Sequence, residues 1–141
     1  MKRTASAQWR GDLKTGGGTV STASKVLSGS AYSFHSRFEE GQGTNPEELL
    51  AAAHAGCFSM ALSAQLGQVN LKPEVIDTTC SITLEKQPDG FAITSSHLEV
   101  KARVPGASRV AFDTAVNNAK TGCPVSKLYK TNITVNSTLE S

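Results

Sequence analysis

Apolar and polar residues alternate with a period of two over much of the second half of the chain. Ile76, Thr78, Cys80, Ile82 and Leu84 fall on one face of a predicted strand, and Asp77, Thr79, Ser81, Thr83 and Glu85 fall on the other. Leu98, Val100, Ala102 and Val104 alternate with Glu99, Lys101 and Arg103, the pattern of a strand buried on one face only. Between the two runs, Pro88-Asp89-Gly90 predicts a hairpin turn. Residues 131–139 read as a last strand. The N-terminal part predicts strands over 4–10, 19–27 and 31–38, separated by turns at Gly16-Gly17-Gly18 and Ser28-Gly29-Ser30. In the third of these strands Tyr32, Phe34 and Phe38 share one face and His35 and Arg37 the other, so the three read as an antiparallel meander.

Helices are predicted by their end signals. Asn45 is a good N-cap, Pro46 suits the first helical position, and Glu48 lies three residues after the cap, as in a capping box with Asn in place of Ser or Thr. The helix runs over 46–66 and stops near Gly67. From Leu49 to Leu66 it has no Asp, Glu, Lys or Arg. A helix without a charged face is buried all round, and one short chain can hardly wrap it, so a partner chain is the economical explanation. A second helix is predicted over 108–120, with Val110, Ala111, Ala115, Val116 and Ala119 inward. Gly122-Cys123-Pro124 breaks it and starts a short third helix through Lys130. The class is α+β, with helices packed on antiparallel sheet.

Composition narrows the function. A length of 141 residues suits one domain, 1–141, with a core that needs no disulfide staples. A net charge of +2, with scattered lysines and arginines, is too small for a nucleic-acid footprint. No run of about 18 apolar residues predicts a membrane span, and no apolar segment follows the N-terminal charges as in a secretory signal. Three cysteines, Cys57, Cys80 and Cys123, are too few and odd in number for a secreted disulfide framework. The expectation is a cytoplasmic protein whose thiols act chemically.

Each thiol has a bland reading and a chemical one. Cys80, on an apolar strand face, reads as core filler. Cys57 sits in mid-helix among small residues. It is either a core cysteine or a reactive one, and Arg37 is the candidate for the electropositive setting a reactive thiol needs. Cys123, if Pro124 opens a helix, is an N-cap whose thiolate the helix end favours; otherwise it is a turn cysteine. Glu47 has no local task beyond its place near the helix N-terminus. It lies ten residues from Cys57 on the same helix, about 15 Å along the axis. Two antiparallel copies crossing at Ala51-Ala52-Ala53 would bring Glu47 of one chain level with Cys57 of the other, in an isologous dimer with interfacial sites. His54 and Cys57 fall on one helical face as two possible metal ligands, but zinc wants three or four and no CxxC or HxxxH accompanies them. No metal or cofactor is expected.

The run Gly43-Thr44-Asn45-Pro46-Glu47-Glu48-Leu49-Leu50-Ala51-Ala52-Ala53-His54-Ala55-Gly56-Cys57-Phe58-Ser59-Met60-Ala61-Leu62 resembles the signature helix of the OsmC/Ohr family of thiol peroxidases. Ala119-Lys120-Thr121-Gly122-Cys123-Pro124-Val125-Ser126 is similar to the family's second cysteine motif, and Trp9-Arg10-Gly11-Asp12-Leu13-Lys14, Gly18-Thr19-Val20-Ser21-Thr22 and Ser36-Arg37-Phe38-Glu39 resemble its OsmC branch. The resemblance implies antiparallel sheets wrapped around two long central helices in an intertwined homodimer with two interfacial sites. It implies that Cys57 is the peroxidatic cysteine, Cys123 the resolving cysteine, Arg37 the active-site arginine and Glu47 the glutamate that holds it. Arg10 is the competing arginine, and Cys80 lies outside the pattern.

The implied activity is reduction of organic hydroperoxides to alcohols, through a sulfenic acid on Cys57 and a Cys57–Cys123 disulfide, in oxidative and osmotic stress defence. An external dithiol of lipoyl type would reopen the disulfide. The alternative is a redox-sensing or small-molecule-binding module that uses the same cysteine pair without repeated turnover. Phe38, Phe58, Met60 and nearby leucines are the expected apolar surroundings of the thiol.

Overall fold

Close backbone approach sets the geometry of the N-terminal sheet. In the computed structural model, which describes all 141 residues, β1 (Ala5–Arg10), β2 (Gly17–Thr22) and β3 (Ser30–Tyr32) form an antiparallel meander in that order. Trp9 and Tyr32 pack across it, ring centroids 5.4 Å apart, directly over Gly18. A Cβ on Gly18 would lie 2.6 Å from the Tyr32 ring and 2.8 Å from the Trp9 ring, so no larger residue fits. The second strand ends at Thr22, five residues earlier than the sequence suggests. Thr22 closes the chain on itself: its N–H donates to the Leu27 carbonyl at 2.9 Å, and its Oγ1 accepts the Leu27 N–H at 3.2 Å.

The expected third strand is mostly a helix. After β3 the chain turns into α1 (Phe34–Phe38), because Ser33 and Ser36 satisfy each other's backbone N–H groups in a capping box. Phe34 and Phe38, four residues apart, stack at 4.9 Å on one helical face. That spacing places them on one face of a strand as well, which is why alternation misassigned them. Arg37 therefore projects from a helix.

These elements and the first turn of α2 (Pro46–Gln68) make up one compact unit, residues 1–49; residues 50–141 make up a second. α2 begins as expected, with the Asn45 Oδ1 accepting the Glu48 N–H at 2.7 Å. The reciprocal half of the box is absent, since the Glu48 carboxylate accepts the Thr44 hydroxyl at 2.8 Å instead.

In the second unit, β4 (Val75–Gln87) and β5 (Gly90–Arg103) pair as a long antiparallel hairpin closed by Pro88-Asp89, with Gly90 at φ +130°. α3 (Arg109–Gly122) and α4 (Pro124–Leu128) then carry the chain to β6 (Asn132–Glu140), which lies parallel to β5. The expected all-antiparallel sheet is thus mixed. A helical crossover returns the chain to the same edge in the same direction, which a hairpin cannot do.

The core lies between this sheet and the helices. Leu98, Val100 and Ala102 of β5, with Val104 just beyond it, meet Phe58, Leu62 and Leu66 of α2 and Phe112, Ala115, Val116 and Ala119 of α3. The inward face of α3 differs from the sequence reading at two positions: Phe112 is fully buried, whereas Val110 is 77% exposed. Phe112→Ala is expected to cost about 3–5 kcal/mol, and Val110→Ala less than about 0.5 kcal/mol, both read from urea unfolding.

α2 is not buried all round. Phe58, Leu62, Leu66 and His54 are sealed, but Ala52, Ala53, Gly56, Met60, Ala64 and Gly67 face outward. By length and apolar composition alone the helix meets the requirement for crossing a membrane, contrary to expectation; one of its faces packs into the core through Phe58, Leu62 and Leu66.

Candidate thiol site

Cys123 occupies the joint between two helices. Its N–H donates to the Ala119 carbonyl at 3.0 Å and ends α3, while its side chain caps α4, the Sγ accepting the Ser126 N–H at 3.3 Å. Pro124 follows at the first helical position, where its missing N–H costs nothing. The sequence reading of an N-cap thiol is therefore correct, and Cys123 is almost wholly buried.

The same short helix supports Cys57. The Val125 N–H, in the first turn of α4, hydrogen-bonds to the Cys57 sulfur and favours its thiolate. Two effects outweigh it. Burial pushes the Cys57 pKa up, and the adjacent Cys123 thiol adds to the rise by hydrogen bonding and by charge. The two sulfurs are thus neighbours, with one of them half-exposed and the other sealed. Within the second unit, burial and Cys123 thus favour the protonated Cys57 thiol.

Arg37 and Glu47 also meet, within the first unit. Arg37 Nε and Nη2 donate to Glu47 Oε1 at 3.2 and 2.9 Å, and Nε lies 3.3 Å from Oε2. The Glu47 side chain is 11% exposed and that of Arg37 37%. Phe38 backs the guanidinium, its ring centroid 5.1 Å from Cζ. A carboxylate gripping Nε and Nη2 fixes the plane of the guanidinium and leaves the Nη1 edge free to meet another group. Arg10, the competing arginine, reaches only Gln8 Oε1, at 3.3 Å.

One turn before Cys57, His54 is completely buried. Its Nε2 lies 2.8 Å from Ser126 Oγ and its Nδ1 2.6 Å from Ser96 Oγ. Ser126 Oγ in turn lies 3.1 Å from Cys123 Sγ, and Ser96 Oγ 3.2 Å from Cys80 Sγ. A continuous line of hydrogen bonds therefore joins Cys123 to Cys80 through an imidazole. His54, considered with Cys57 as a possible metal ligand, has both ring nitrogens engaged by serine hydroxyls. Cys80 packs against the core as expected and is also hydrogen-bonded to Ser96; burial raises its pKa while Ser96 opposes the rise. Sequence reasoning missed both serines. Ser126 carries a usable signal, since it stands at the third position after an N-cap; Ser96 carries none beyond being a polar residue on an apolar strand face.

Tyr129 borders the same cluster. Its ring lies edge-on to His54 at 5.1 Å, and its hydroxyl donates to the Leu50 carbonyl at 2.8 Å. Burial raises its pKa, and the charges of Cys80, Cys123 and Cys57 raise it further. Beside Tyr129 opens a cleft of about 420 Å³ lined by Leu50, Ile82, Ile93 and Leu128. Phe58 cannot line the thiol site as expected, because it is sealed in the core.

A family profile described as OsmC-like protein matches residues 39–138. The chain is 51% identical over 135 residues to Peroxiredoxin OsmC of Escherichia coli, an alignment covering 96% of this chain and 94% of that one. It is 38% identical over 100 residues to the organic hydroperoxide resistance protein of Xanthomonas axonopodis, covering 70% and 68% of the two chains. The crystal structure of the organic hydroperoxide resistance protein OhrB of Bacillus subtilis superposes with a TM-score of 0.68 at 25% identity, covering 97% of this chain and 98% of OhrB.

Proposed function

The chain belongs to the OsmC-like family and is a peroxidase, and from that premise we propose that it reduces organic hydroperoxides to alcohols through Cys57, with Cys123 as resolving thiol. The observation that carries this reading is the direct apposition of the two sulfurs, one half-exposed and one sealed. The Cys57 thiolate attacks the distal oxygen of ROOH; the O–O bond breaks, RO⁻ leaves and takes a proton, and Cys57 becomes a sulfenic acid. The Cys123 sulfur then displaces the sulfenic oxygen as water and forms the disulfide. An external dithiol, of lipoyl type by family resemblance, exchanges into that disulfide and restores both thiols. No resident cofactor takes part. The apolar cleft beside Tyr129 favours organic hydroperoxides over hydrogen peroxide.

Burial and Cys123 both oppose the thiolate, so a cation must offset them. Arg37, held by Glu47, is the group we assign to this task, supplied by a second copy of the chain. The outward face of α2 is long, apolar and uncharged, as suits burial against its own copy in a homodimer. A sparse set of free thiols suits the reducing cytoplasm.

Mass spectrometry after one equivalent of cumene hydroperoxide tests the chemistry. The expected product is a Cys57–Cys123 link, replaced in Cys123→Ser by a sulfenic acid that dimedone traps at Cys57. With a dithiol present, many equivalents are consumed, and cumene hydroperoxide faster than hydrogen peroxide. Consumption that stops at one equivalent would make the chain a redox sensor or binder instead.

A further inference from the structure

We propose that His54 is a positioning residue for the resolving step, taking up the Cys123 proton through the Ser126 hydroxyl. The inference rests on the reading of Cys123 as the thiol that traps oxidised Cys57. It starts from a placement that catalysis at Cys57 leaves unused: a sealed imidazole whose two nitrogens are both engaged by hydroxyls, each hydroxyl in turn engaged by a thiol.

Donor and acceptor capacity lets the chain run in either direction, and one of the two makes Nε2 the base. When Nδ1 carries the proton, it donates to Ser96 Oγ, whose own proton points to Cys80 Sγ. Nε2 then offers its lone pair to the Ser126 hydroxyl, and Ser126 Oγ is free to accept the Cys123 S–H. In this direction Cys80 Sγ acts as an acceptor, and its own S–H lies outside the chain. In this tautomer Nε2 is a base two hydrogen bonds from the Cys123 sulfur. The Ser126 backbone N–H, already on Cys123 Sγ at 3.3 Å, stabilises the charge that appears there.

The step balances. As the Cys123 sulfur bonds to the Cys57 sulfur, the S–O bond of the sulfenic acid breaks. The thiol proton moves to Ser126 Oγ while the Ser126 proton moves to Nε2. The imidazolium returns one proton by the same path to the departing hydroxide, which leaves as water. Cys123 is oxidised, the Cys57 sulfur is reduced from the sulfenic to the disulfide level, and His54 ends neutral.

The groups facing His54 suit this task. Ser96 and Cys80 face it from the sheet, and Ser126 and Tyr129 from α4 and the residue after it. No carboxylate or cation moves its titration; burial alone pulls its pKa below the ordinary histidine range. The imidazole is therefore neutral, and able to accept a proton, at neutral pH.

The test is the lifetime of the Cys57 sulfenic acid after one equivalent of cumene hydroperoxide, read by dimedone trapping against time and mass spectrometry of the disulfide, from pH 5 to 8. In the natural protein, disulfide formation is expected to slow as pH falls through the titration of His54. His54→Gln and Ser126→Ala are each expected to lengthen the sulfenic acid lifetime by about tenfold or more and to remove that acid limb; Ser126→Thr, which keeps the hydroxyl, is expected to restore both. Ser126→Ala loses a single oxygen, so it carries the test if His54→Gln does not fold. Natural disulfide formation with variants that match its rate and keep the acid limb would overturn the relay. So would slowed variants that keep the limb, since a purely structural loss has that signature. Absence of any sulfenic acid or disulfide in the natural protein would instead overturn the assignment of the two cysteines.

Discussion

Cys57→Ser is expected to lower peroxide turnover on the order of 10³-fold or more, because a serine hydroxyl is far too weak an acid to supply the attacking anion. The expectation is sharper than loss of activity alone. Cys57 and Cys123 are neighbours, and the Cys123 thiol raises the Cys57 pKa. Removing the Cys57 sulfur leaves Cys123 sealed at the α3–α4 joint, so it cannot take over attack on a bulky hydroperoxide. In a coupled assay with a dithiol and cumene hydroperoxide, the variant is expected to show no consumption above the uncatalysed rate, while its urea midpoint stays within about 0.5 kcal/mol of the natural protein's. Retained turnover would move the chemistry to another sulfur.

What the sequence made legible follows the range of the forces involved. The start of α2 is short-range chemistry, an Asn side chain on a backbone N–H three residues away, and it is where the sequence places it. So is the joint at Cys123, where a glycine, a cysteine cap and a proline come in a row. The half-buried hairpin also reads directly, since alternation reports which face meets the core. The failures come where two periods agree or where topology decides. Phe34 and Phe38 share a face in a strand and in a helix, and only the Ser33–Ser36 box breaks the tie. The direction of β6 depends on the crossover through α3 and α4, which no local pattern encodes. On α3, Val110 and Phe112 lie about 160° apart at ~100° per residue, on nearly opposite faces, and Phe112 is the one that keeps i, i+3, i+4, i+7 spacing with Ala115, Val116 and Ala119.

The site divides in the same way. The two cysteines we assign to the reaction stand in motifs that can be recognised along the chain, and so do Arg37 and Glu47. The line from Cys123 to Cys80 cannot be found that way, because it is assembled from α4, α2, β5 and β4, which come together only in the fold. Cys80 looks apolar from its strand face because its partner, Ser96, sits on the neighbouring strand, where the apolar pattern is interrupted once.

Arg37→Met is expected to lower the rate of Cys57 oxidation by about 10²-fold, the usual loss when a donor to a developing oxyanion is removed. Part of that loss is ionisation. An unassisted thiol is only a few per cent thiolate at neutral pH, and burial and Cys123 depress that fraction further. The pH profile of Cys57 alkylation in Arg37→Met is therefore expected to shift to higher pH, since the cation that favoured the charged form is gone. Glu47→Gln is expected to cost less, about tenfold, because an amide oxygen still accepts from the guanidinium without anchoring it as a carboxylate does. Mixing subunits distinguishes a shared site from a private one. A dimer of one Cys57→Ser chain and one Arg37→Met chain combines an intact Cys57 with an intact Arg37 at one of its two sites, if the arginine acts across the interface. Co-refolding equal amounts of the two weak variants is then expected to restore about a quarter of natural activity, since half of randomly paired dimers are mixed and each has one sound site. If Arg37 serves the cysteine of its own chain, every site in the mixture lacks one of the two groups and no activity returns.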